Sequence, residues 1–183
     1  INTMQPYTTG QIAQILNAKL EGDPNLEIST IATDSRTPSK SKGTLFVAIV
    51  GKHHNGHKFI SELYNFQHIR AFMVSDTLGL AEKFPQATFI VVKNTLHALQ
   101  KLATYHRAQF KYPVVGITGS NGKTIVKEWL NQLLSPDYSI VRSPKSYNSQ
   151  IGVPLSVLQM DSNFNLGIFE AGISLPGEML RLQ

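Results

Sequence analysis

The chain has 183 residues, a formal net charge of +5, 42% hydrophobic residues and no cysteine. This length fits one large domain or two small ones, and the composition excludes a disordered, collagenous or coiled-coil chain. Without cysteine there are no disulfides and no thiolate metal ligands. The longest apolar run, residues 45–50, is far shorter than the roughly 20 residues that span a bilayer, and the N-terminus lacks a signal-peptide pattern. We therefore expect a soluble, cytoplasmic protein without membrane insertion.

The positive charge is concentrated in the first part of the chain. Residues 1–112 hold 12 basic and 7 acidic side chains, whereas residues 113–183 hold five of each. Residues 35–61 carry five basic side chains and three histidines without an acid. Such a stretch is suited to an anionic ligand or a nucleic acid, and a solvated basic loop is the alternative.

The first part of the chain is predicted to form a small α/β unit. A capping box of Thr8 and Gln11 begins a helix whose apolar positions continue to Leu20 and which Gly22 ends. Short strands are predicted over residues 26–33, 45–50, 71–74 and 89–92, with a helix over 57–66. A further helix has Asn94 as its N-cap and runs to about residue 110. We place the domain boundary near Lys93, which gives domains 1–92 and 93–183.

The second part of the chain alternates strands and helices. Strands are predicted over residues 114–118, 138–141 and 166–170, and helices over 123–134 and 153–160. This alternation is typical of a parallel sheet flanked by helices. The fold class predicted for the whole chain is α/β.

The turn after the strand at 114–118 has the chemistry of a phosphate-binding loop. Its sequence is Thr-Gly-Ser-Asn-Gly-Lys-Thr, and we assign the ATP phosphates to Gly119, Ser120, Asn121, Gly122, Lys123 and Thr124. Glycines let backbone N–H groups converge on phosphate oxygens, the lysine reaches the terminal phosphates, and the threonine hydroxyl can bind Mg²⁺. The usual pattern has glycine at the position of Ile117. A Gly-Lys turn without a ligand is the alternative.

An acidic partner for Mg²⁺ is expected at the end of a neighbouring strand. Glu170 ends the strand at 166–170, so Thr124 and Glu170 are the candidate metal ligands, and a solvated glutamate is the alternative. A GTPase is excluded by motif order, because residues 76–79 precede the phosphate loop. His53, His54 and His57 make a poor zinc site because no carboxylate lies near them in the sequence.

These motifs resemble the Mur ligases of bacterial peptidoglycan synthesis, which form amide bonds at the expense of ATP. The phosphate loop at 118–124 is similar to the family's own form, which accounts for Ile117. Segments 34–36, 43–48, 51 and 55–60 resemble those with which the family's N-terminal domain binds the UDP end of its sugar nucleotide. The resemblance implies a small UDP-binding domain, followed by the start of a P-loop ATPase domain with a parallel sheet. It assigns the uridine diphosphate to Ser35, Arg36, Phe46, Val47, Ala48 and His57.

Three segments resemble one member of the family, the ligase that adds D-alanyl-D-alanine to UDP-N-acetylmuramoyl-tripeptide through an acyl phosphate. They are residues 126–128, 147–155 and 170–178. The resemblance implies ATP and Mg²⁺ as cofactors, these two substrates as partners and a monomer, with Lys123 and Asn148 as catalytic residues. The alternatives are the ligase that adds the third amino acid and an unrelated P-loop kinase or ATPase.

Two further expectations follow from the resemblance. Leu175 stands where relatives often have a histidine that contributes to a second Mg²⁺ site. Segments that the family uses for adenine binding and for its C-terminal domain would lie beyond Gln183, so we expect the chain to be a fragment and inactive alone. A nucleic-acid-binding module is disfavoured, because the basic stretch contains only Phe46 and Phe59 as aromatic residues.

Overall fold

The computed structural model describes residues 4–36, 42–52, 54–77, 79–172 and 177–182. The strands are β1 (Tyr7–Thr8), β2 (Lys19–Glu21), β3 (Glu27–Ile28), β4 (Thr30–Ala32), β5 (Thr44–Val47), β6 (Val50–Gly51), β7 (His54–Asn55), β8 (Ala71–Val74), β9 (Thr88–Val91), β10 (Val114–Ile117), β11 (Ile140–Arg142) and β12 (Leu166–Glu170). The helices are α1 (Thr9–Leu16), α2 (Ile60–Asn65) with the 3₁₀ turn Gly56–Phe59 before it, α3 (Leu80–Lys83), α4 (Thr95–Ala108), α5 (Lys123–Leu134), α6 (Gly152–Val157) and α7 (Glu178–Leu182). Within the described ranges, no helix combines the length and apolar character needed to cross a membrane.

The chain divides into two compact units, residues 1–102 and 103–183, with the division inside α4. The domain boundary near Lys93 stays a prediction.

The first unit is built on a five-stranded sheet in the order β2-β9-β8-β5-β4. The strands β9, β8, β5 and β4 are parallel, and β2 pairs antiparallel with β9. Its core contains Phe46, Phe72 and Phe89 from the sheet, with Ile60 and Leu63 from α2 packed against them. Because β4, β5 and β8 are parallel, the segments that follow them lie at one edge of the sheet.

The second unit contains a parallel sheet in the order β10-β12-β11. The central strand β12 is buried along its whole length, and Val141, Met160 and Phe169 form the core beside it. A central strand of a parallel sheet is covered on both faces, which is why its sequence is nearly continuous in apolar residues. The predicted α/β class with parallel strands is confirmed in both units.

Both predicted helix caps are confirmed. Thr8 Oγ1 accepts from Gln11 N–H at 3.1 Å while Gln11 Oε1 accepts from Thr8 N–H at 2.8 Å, and Asn94 Oδ1 accepts from His97 N–H at 2.9 Å. The predicted end of the first helix at Gly22 is wrong. Asn17, in the left-handed conformation with φ of 52°, ends α1 five residues earlier and directs the following residues into β2.

Several strand boundaries also differ from the prediction. The single strand expected over 26–33 is split at Ser29, whose N–H donates to Gly43 O at 2.9 Å, so that β3 pairs with β1 and β4 pairs with β5. The hairpin of β6 and β7 and the short helix α3 were not predicted, because two- to four-residue elements carry no usable periodicity. The strand expected over 138–141 lies at Ile140–Arg142, and the helix expected over 153–160 lies at Gly152–Val157.

Candidate active site

The turn between β10 and α5 has the backbone conformation that its sequence predicts. Gly119 and Gly122 have φ values of 144° and 78°, a region that residues with a side chain rarely adopt. Gly122 immediately precedes α5, and the residues from Thr118 to Gly122 are exposed. The turn therefore brings the first N–H groups of a twelve-residue helix to the surface, where they and the positive end of the helix favour a bound anion.

Lys123 lies folded back over this turn. Its Nζ donates a hydrogen bond to Gly119 O at 2.6 Å, and the side chain is half-buried. A neutral carbonyl is a weaker partner for an ammonium group than a phosphate oxygen. The lysine is therefore held where a phosphate on the turn would meet it, by a contact that the phosphate can replace.

Thr124 and Glu170 meet at the end of the sheet. Strands β10 and β12 are parallel neighbours with Ile117 opposite Glu170, so the phosphate turn and the Glu170 carboxylate lie at the same edge. Thr124 Oγ1 donates to Glu170 Oε2 at 3.1 Å, and the Glu170 side chain is fully buried. The two candidate metal ligands predicted from the sequence are thus in contact.

This pair fits the requirements of Mg²⁺. The ion takes hard oxygen ligands at about 2.0–2.1 Å in octahedral geometry, so that two adjacent ligands are about 3 Å apart. Thr124 Oγ1 and Glu170 Oε2 are oxygen donors separated by 3.1 Å. They have the chemistry and the separation of two oxygens that would hold Mg²⁺ together, and the ion would neutralise charge on bound phosphates.

A buried lysine that was not predicted as a site residue stands behind the glutamate. Lys127 Nζ lies 2.9 Å from Glu170 Oε1, and both side chains have zero exposure. The same ammonium donates to Ser143 O at 2.8 Å and to Lys145 O, and lies 3.3 Å from Glu128 Oε1. A buried carboxylate is tolerated when an opposite charge lies beside it, and Lys127 supplies that charge.

Asn148 lies on the other side of Glu170. Its Nδ2 donates to Glu170 Oε2 at 3.5 Å, and its carbonyl accepts from Gly172 N–H at 2.6 Å. A Cβ on Gly172 would stand 2.9 Å from Asn148 Oδ1, which is closer than real Cβ contacts allow. The close approach requires glycine at 172 and holds Asn148 beside the carboxylate.

The candidate UDP residues of the first unit lie where three parallel strands end. Asp34 and Arg36 follow β4, Ala48 follows β5, and Ser75 follows β8. Ligands of open α/β sheets bind at this end of the strands. Arg36 pairs with Asp34 through Nε at 3.0 Å and Nη2 at 2.8 Å, and these hydrogen bonds lower the pKa of Asp34 to about 2.

The remaining candidates at this edge are more buried. Phe46, Val47 and Ala48 have exposures of 1%, 0% and 0%, and Ser35 is 8% exposed. The Ala48 N–H donates to Met73 O at 2.9 Å and its carbonyl accepts from Thr95 Oγ1 at 2.8 Å. Phe46 and Ala48 pack in the core of the first unit, whereas the Arg36 side chain is exposed.

His57 has both ring nitrogens engaged within the protein. Nε2 lies 3.0 Å from Ser75 N–H, which can only donate, so Nε2 accepts and Nδ1–H donates to Asn55 Oδ1 at 2.8 Å. Burial lowers the pKa of His57, although the charge of Asp76 opposes this shift. The neutral imidazole therefore connects the turn before α2 to the segment after β8.

Known proteins of one family are similar to this chain in sequence and in structure. Residues 117–183 match the Mur ligase middle domain. The UDP-N-acetylmuramoyl-tripeptide--D-alanyl-D-alanine ligase of Bacillus subtilis is 30% identical over 94% of this chain and 37% of its own length. A structure of the UDP-N-acetylmuramoylalanyl-D-glutamyl-2,6-diaminopimelate--D-alanyl-D-alanyl ligase from Acinetobacter baumannii has a TM-score of 0.85 and 27% identity, covering 98% of this chain and 39% of that one. MurF ligase from Thermotoga maritima, solved in complex with ADP, has a TM-score of 0.68 and 30% identity over 84% of this chain and 34% of that one.

The chain belongs to the Mur ligase family. The likeness extends over both units, because the relative from Bacillus subtilis and the structure from Acinetobacter baumannii each match more than nine-tenths of the chain. The chain spans 37% and 39% of the lengths of these two proteins.

Leu175, which stands at the position of a possible second metal ligand, lies outside the described residues. Lys127 entered the sequence analysis only as part of the segment 126–128. Its spacing from Lys123 places the two lysines on one face of α5, because residues four apart in a helix share a face. The sequence therefore indicated that Lys127 lies on the same side of the helix as the phosphate-binding lysine.

Proposed function

We propose that the complete protein is an ATP-dependent amide-bond ligase of peptidoglycan precursor synthesis, which adds D-alanyl-D-alanine to UDP-N-acetylmuramoyl-tripeptide. The observation that carries the proposal is the contact of Thr124 Oγ1 with Glu170 Oε2 beside the phosphate turn and Lys123. The names of the relatives supply the substrates. We further propose a cytoplasmic monomer.

The reaction requires activation of a carboxylate. A carboxylate oxygen of the tripeptide attacks the γ-phosphorus of ATP, ADP leaves, and an acyl phosphate forms. The amine of D-alanyl-D-alanine then attacks the acyl carbon, phosphate leaves, and the nitrogen gives up a proton as the amide forms. Because the first step joins two anions, most of the catalysis consists of positioning them and screening their charge.

The residues of the second unit divide this work. Backbone N–H groups of Gly119, Ser120, Asn121 and Gly122 orient the phosphates, and the Lys123 ammonium neutralises charge on the terminal ones. Thr124 and Glu170 hold Mg²⁺, which supplies additional charge neutralisation on the phosphate oxygens. Asn148, beside Glu170, is assigned to the γ-phosphate end of the site.

The first unit is proposed to hold the UDP end of the substrate at the strand ends described above. Arg36 is an exposed cation there, with 87% of its side chain accessible, and although it is paired with Asp34 we assign its guanidinium to the diphosphate. Ser35 and the backbone of Phe46, Val47 and Ala48 are the other residues that we assign to this site. Since His57 already satisfies both ring nitrogens, its part is to hold the 55–57 turn in place.

The proposal is tested by phosphate release from the complete protein. With ATP, Mg²⁺ and UDP-N-acetylmuramoyl-tripeptide present, we expect release to depend on D-alanyl-D-alanine and to be matched by formation of the UDP-linked pentapeptide. Turnover with the UDP-linked dipeptide and a single amino acid would instead identify the ligase for the third residue. ATP hydrolysis that ignores all UDP-linked substrates would favour an unrelated P-loop ATPase.

The UDP site has a separate test. We expect Arg36→Ala to weaken UDP-N-acetylmuramoyl-tripeptide binding by about tenfold or more in isothermal titration, because charge-assisted hydrogen bonds contribute about 1.5–3 kcal/mol. Lys83→Ala removes an exposed cation on α3 and is the matched control. If the two variants bind UDP-N-acetylmuramoyl-tripeptide with equal affinity, Arg36 does not contribute to the UDP site.

A further inference from the structure

We propose that Lys127 is a positioning residue that fixes the orientation of the Glu170 carboxylate for Mg²⁺ and ties the segment 143–148 to it. The inference rests on the proposed function, because it gives Glu170 the task of holding the ion.

The first argument is the burial of the Lys127 ammonium. Its side chain has zero exposure, so it reaches neither solvent nor a ligand on the exposed turn. Lysine is rarely buried completely unless its charge is paired, because removing an ammonium group from water is costly. The position of Lys127 therefore depends on the groups around it, and the nearer of the two carboxylates is that of Glu170 in the candidate site.

The second argument is that the two oxygens of Glu170 contact different partners. Oε1 is buried and, among the described residues, receives no aligned hydrogen bond, so the charge of Lys127 Nζ at 2.9 Å is what stabilises it. Oε2 lies toward Thr124 Oγ1 at 3.1 Å and Asn148 Nδ2 at 3.5 Å. Holding Oε1 from behind directs Oε2 to the position where it can bind the ion.

The third argument is that Lys127 reaches the segment that carries Asn148. Its Nζ donates to the carbonyls of Ser143 and Lys145, which follow β11. Ser143 in turn accepts, through Oγ, a hydrogen bond from Glu170 N–H at 2.9 Å. One ammonium group thus links the helix of the phosphate turn, the segment 143–148 and the end of β12.

The test separates metal binding from nucleotide binding in the complete protein. ADP binding is followed by isothermal titration, in EDTA and at increasing Mg²⁺ concentration, for the wild type and for Lys127→Met, an unbranched side chain that is one atom shorter and carries no charge. We expect the variant to need at least tenfold more Mg²⁺ for half-maximal enhancement of ADP binding. In EDTA its affinity for ADP should stay within about twofold of the wild type, because the turn and Lys123 are intact.

A role in folding alone would lower both affinities together, and this result would overturn the proposal, as would an unchanged Mg²⁺ requirement. Glu128→Gln is the matched control, since it removes the more exposed carboxylate near the same ammonium and should leave the Mg²⁺ requirement unchanged. If Lys127→Met does not fold, Lys127→Gln gives the same comparison, because its amide retains hydrogen-bond donors without the charge. If the wild type shows no Mg²⁺-dependent ADP binding, the proposed function fails, and the role of Lys127 fails with it.

Discussion

The imidazole of His57 accepts a hydrogen bond from the backbone N–H of Ser75 at 3.0 Å, so the ring must be neutral in the folded protein. A protonated ring would place an N–H group against another N–H group. His106 is buried, its Nε2–H donates to Met160 O at 2.8 Å, and burial lowers its pKa as well.

These two histidines predict how stability depends on pH. Their pKa values in the folded state lie below 6.5, whereas in the unfolded chain they take up protons near that pH. The free energy of unfolding should therefore decrease as pH falls below about 6.5, by at most about 1.4 kcal/mol per pH unit for each histidine, and level off below the folded-state pKa values. Urea denaturation between pH 5 and 8 measures this. His57→Gln should flatten the curve and His97→Gln, which changes an exposed residue, should not.

Lys123→Ala should reduce ligation by the complete protein by about 100-fold or more, because the site loses a preorganised cation next to the phosphates. The change removes only a half-buried side chain and its contact with Gly119 O, so the melting temperature should change little. Phosphate release measures the ligation rate, and circular dichroism measures the melting temperature. Lys93→Ala, at an exposed lysine, is the control, and a well-folded Lys123→Ala protein with normal turnover would disprove the assignment.

The pair of Lys127 and Glu170 predicts strong coupling in a double-mutant cycle. Glu170→Gln alone leaves the ammonium buried without its main partner and should lower the free energy of unfolding by about 3–5 kcal/mol. Adding Lys127→Met should recover much of this loss, because no buried charge remains. Denaturation of the four proteins gives the coupling energy. The half-exposed pair of Arg142 and Glu128, 3.3 Å apart, should give less than about 1 kcal/mol in the same cycle, and additive effects at Lys127 and Glu170 would contradict the prediction.

Gly172→Ala should disturb the site directly. The new Cβ would meet Asn148 Oδ1 at 2.9 Å and the Asn148 carbonyl at 3.0 Å, so Asn148 must move away from Glu170, at a cost of about 1–3 kcal/mol. Gly116→Ala, in β10, is the matched control, because its Cβ would have nothing within 4 Å. The melting temperature and the ligation rate should fall in Gly172→Ala and stay unchanged in Gly116→Ala. Similar losses in both would show that the contact with Asn148 is unimportant.

The parts of the site that the sequence predicted are those fixed by local pattern. The phosphate turn follows from glycine spacing between a strand and a helix, and Glu170 follows from the rule that parallel strands end at one edge. The end of α1 was predicted wrongly because glycine occupies the left-handed position at helix ends more often than asparagine does. The prediction therefore placed the end at Gly22 rather than at Asn17.

Lys127 could not be placed from the pattern alone. Sequence reasoning assigns a lysine on an amphipathic helix to solvent, since lysine is rarely buried. Its real position depends on Glu170, Ser143 and Lys145, which reach it only after β11 and β12 have assembled beside α5. The contact between Asn148 and Gly172 likewise joins two loops whose proximity is a tertiary property.

Among the described residues, strand β10 pairs with β12 alone, and apolar side chains of β10 and of α5 are exposed. Val115 in β10 is 39% exposed, and Trp129 and Leu133 on α5 are 63% and 72% exposed. An accessible strand edge beside apolar side chains favours pairing between molecules. The excess positive charge, which would keep molecules apart, belongs to residues 1–112, whereas residues 113–183 have balanced charge. The excess positive charge and the exposed apolar side chains thus belong to different parts of the chain. The net charge of +5 therefore overstates how strongly the molecules repel one another at the apolar surface.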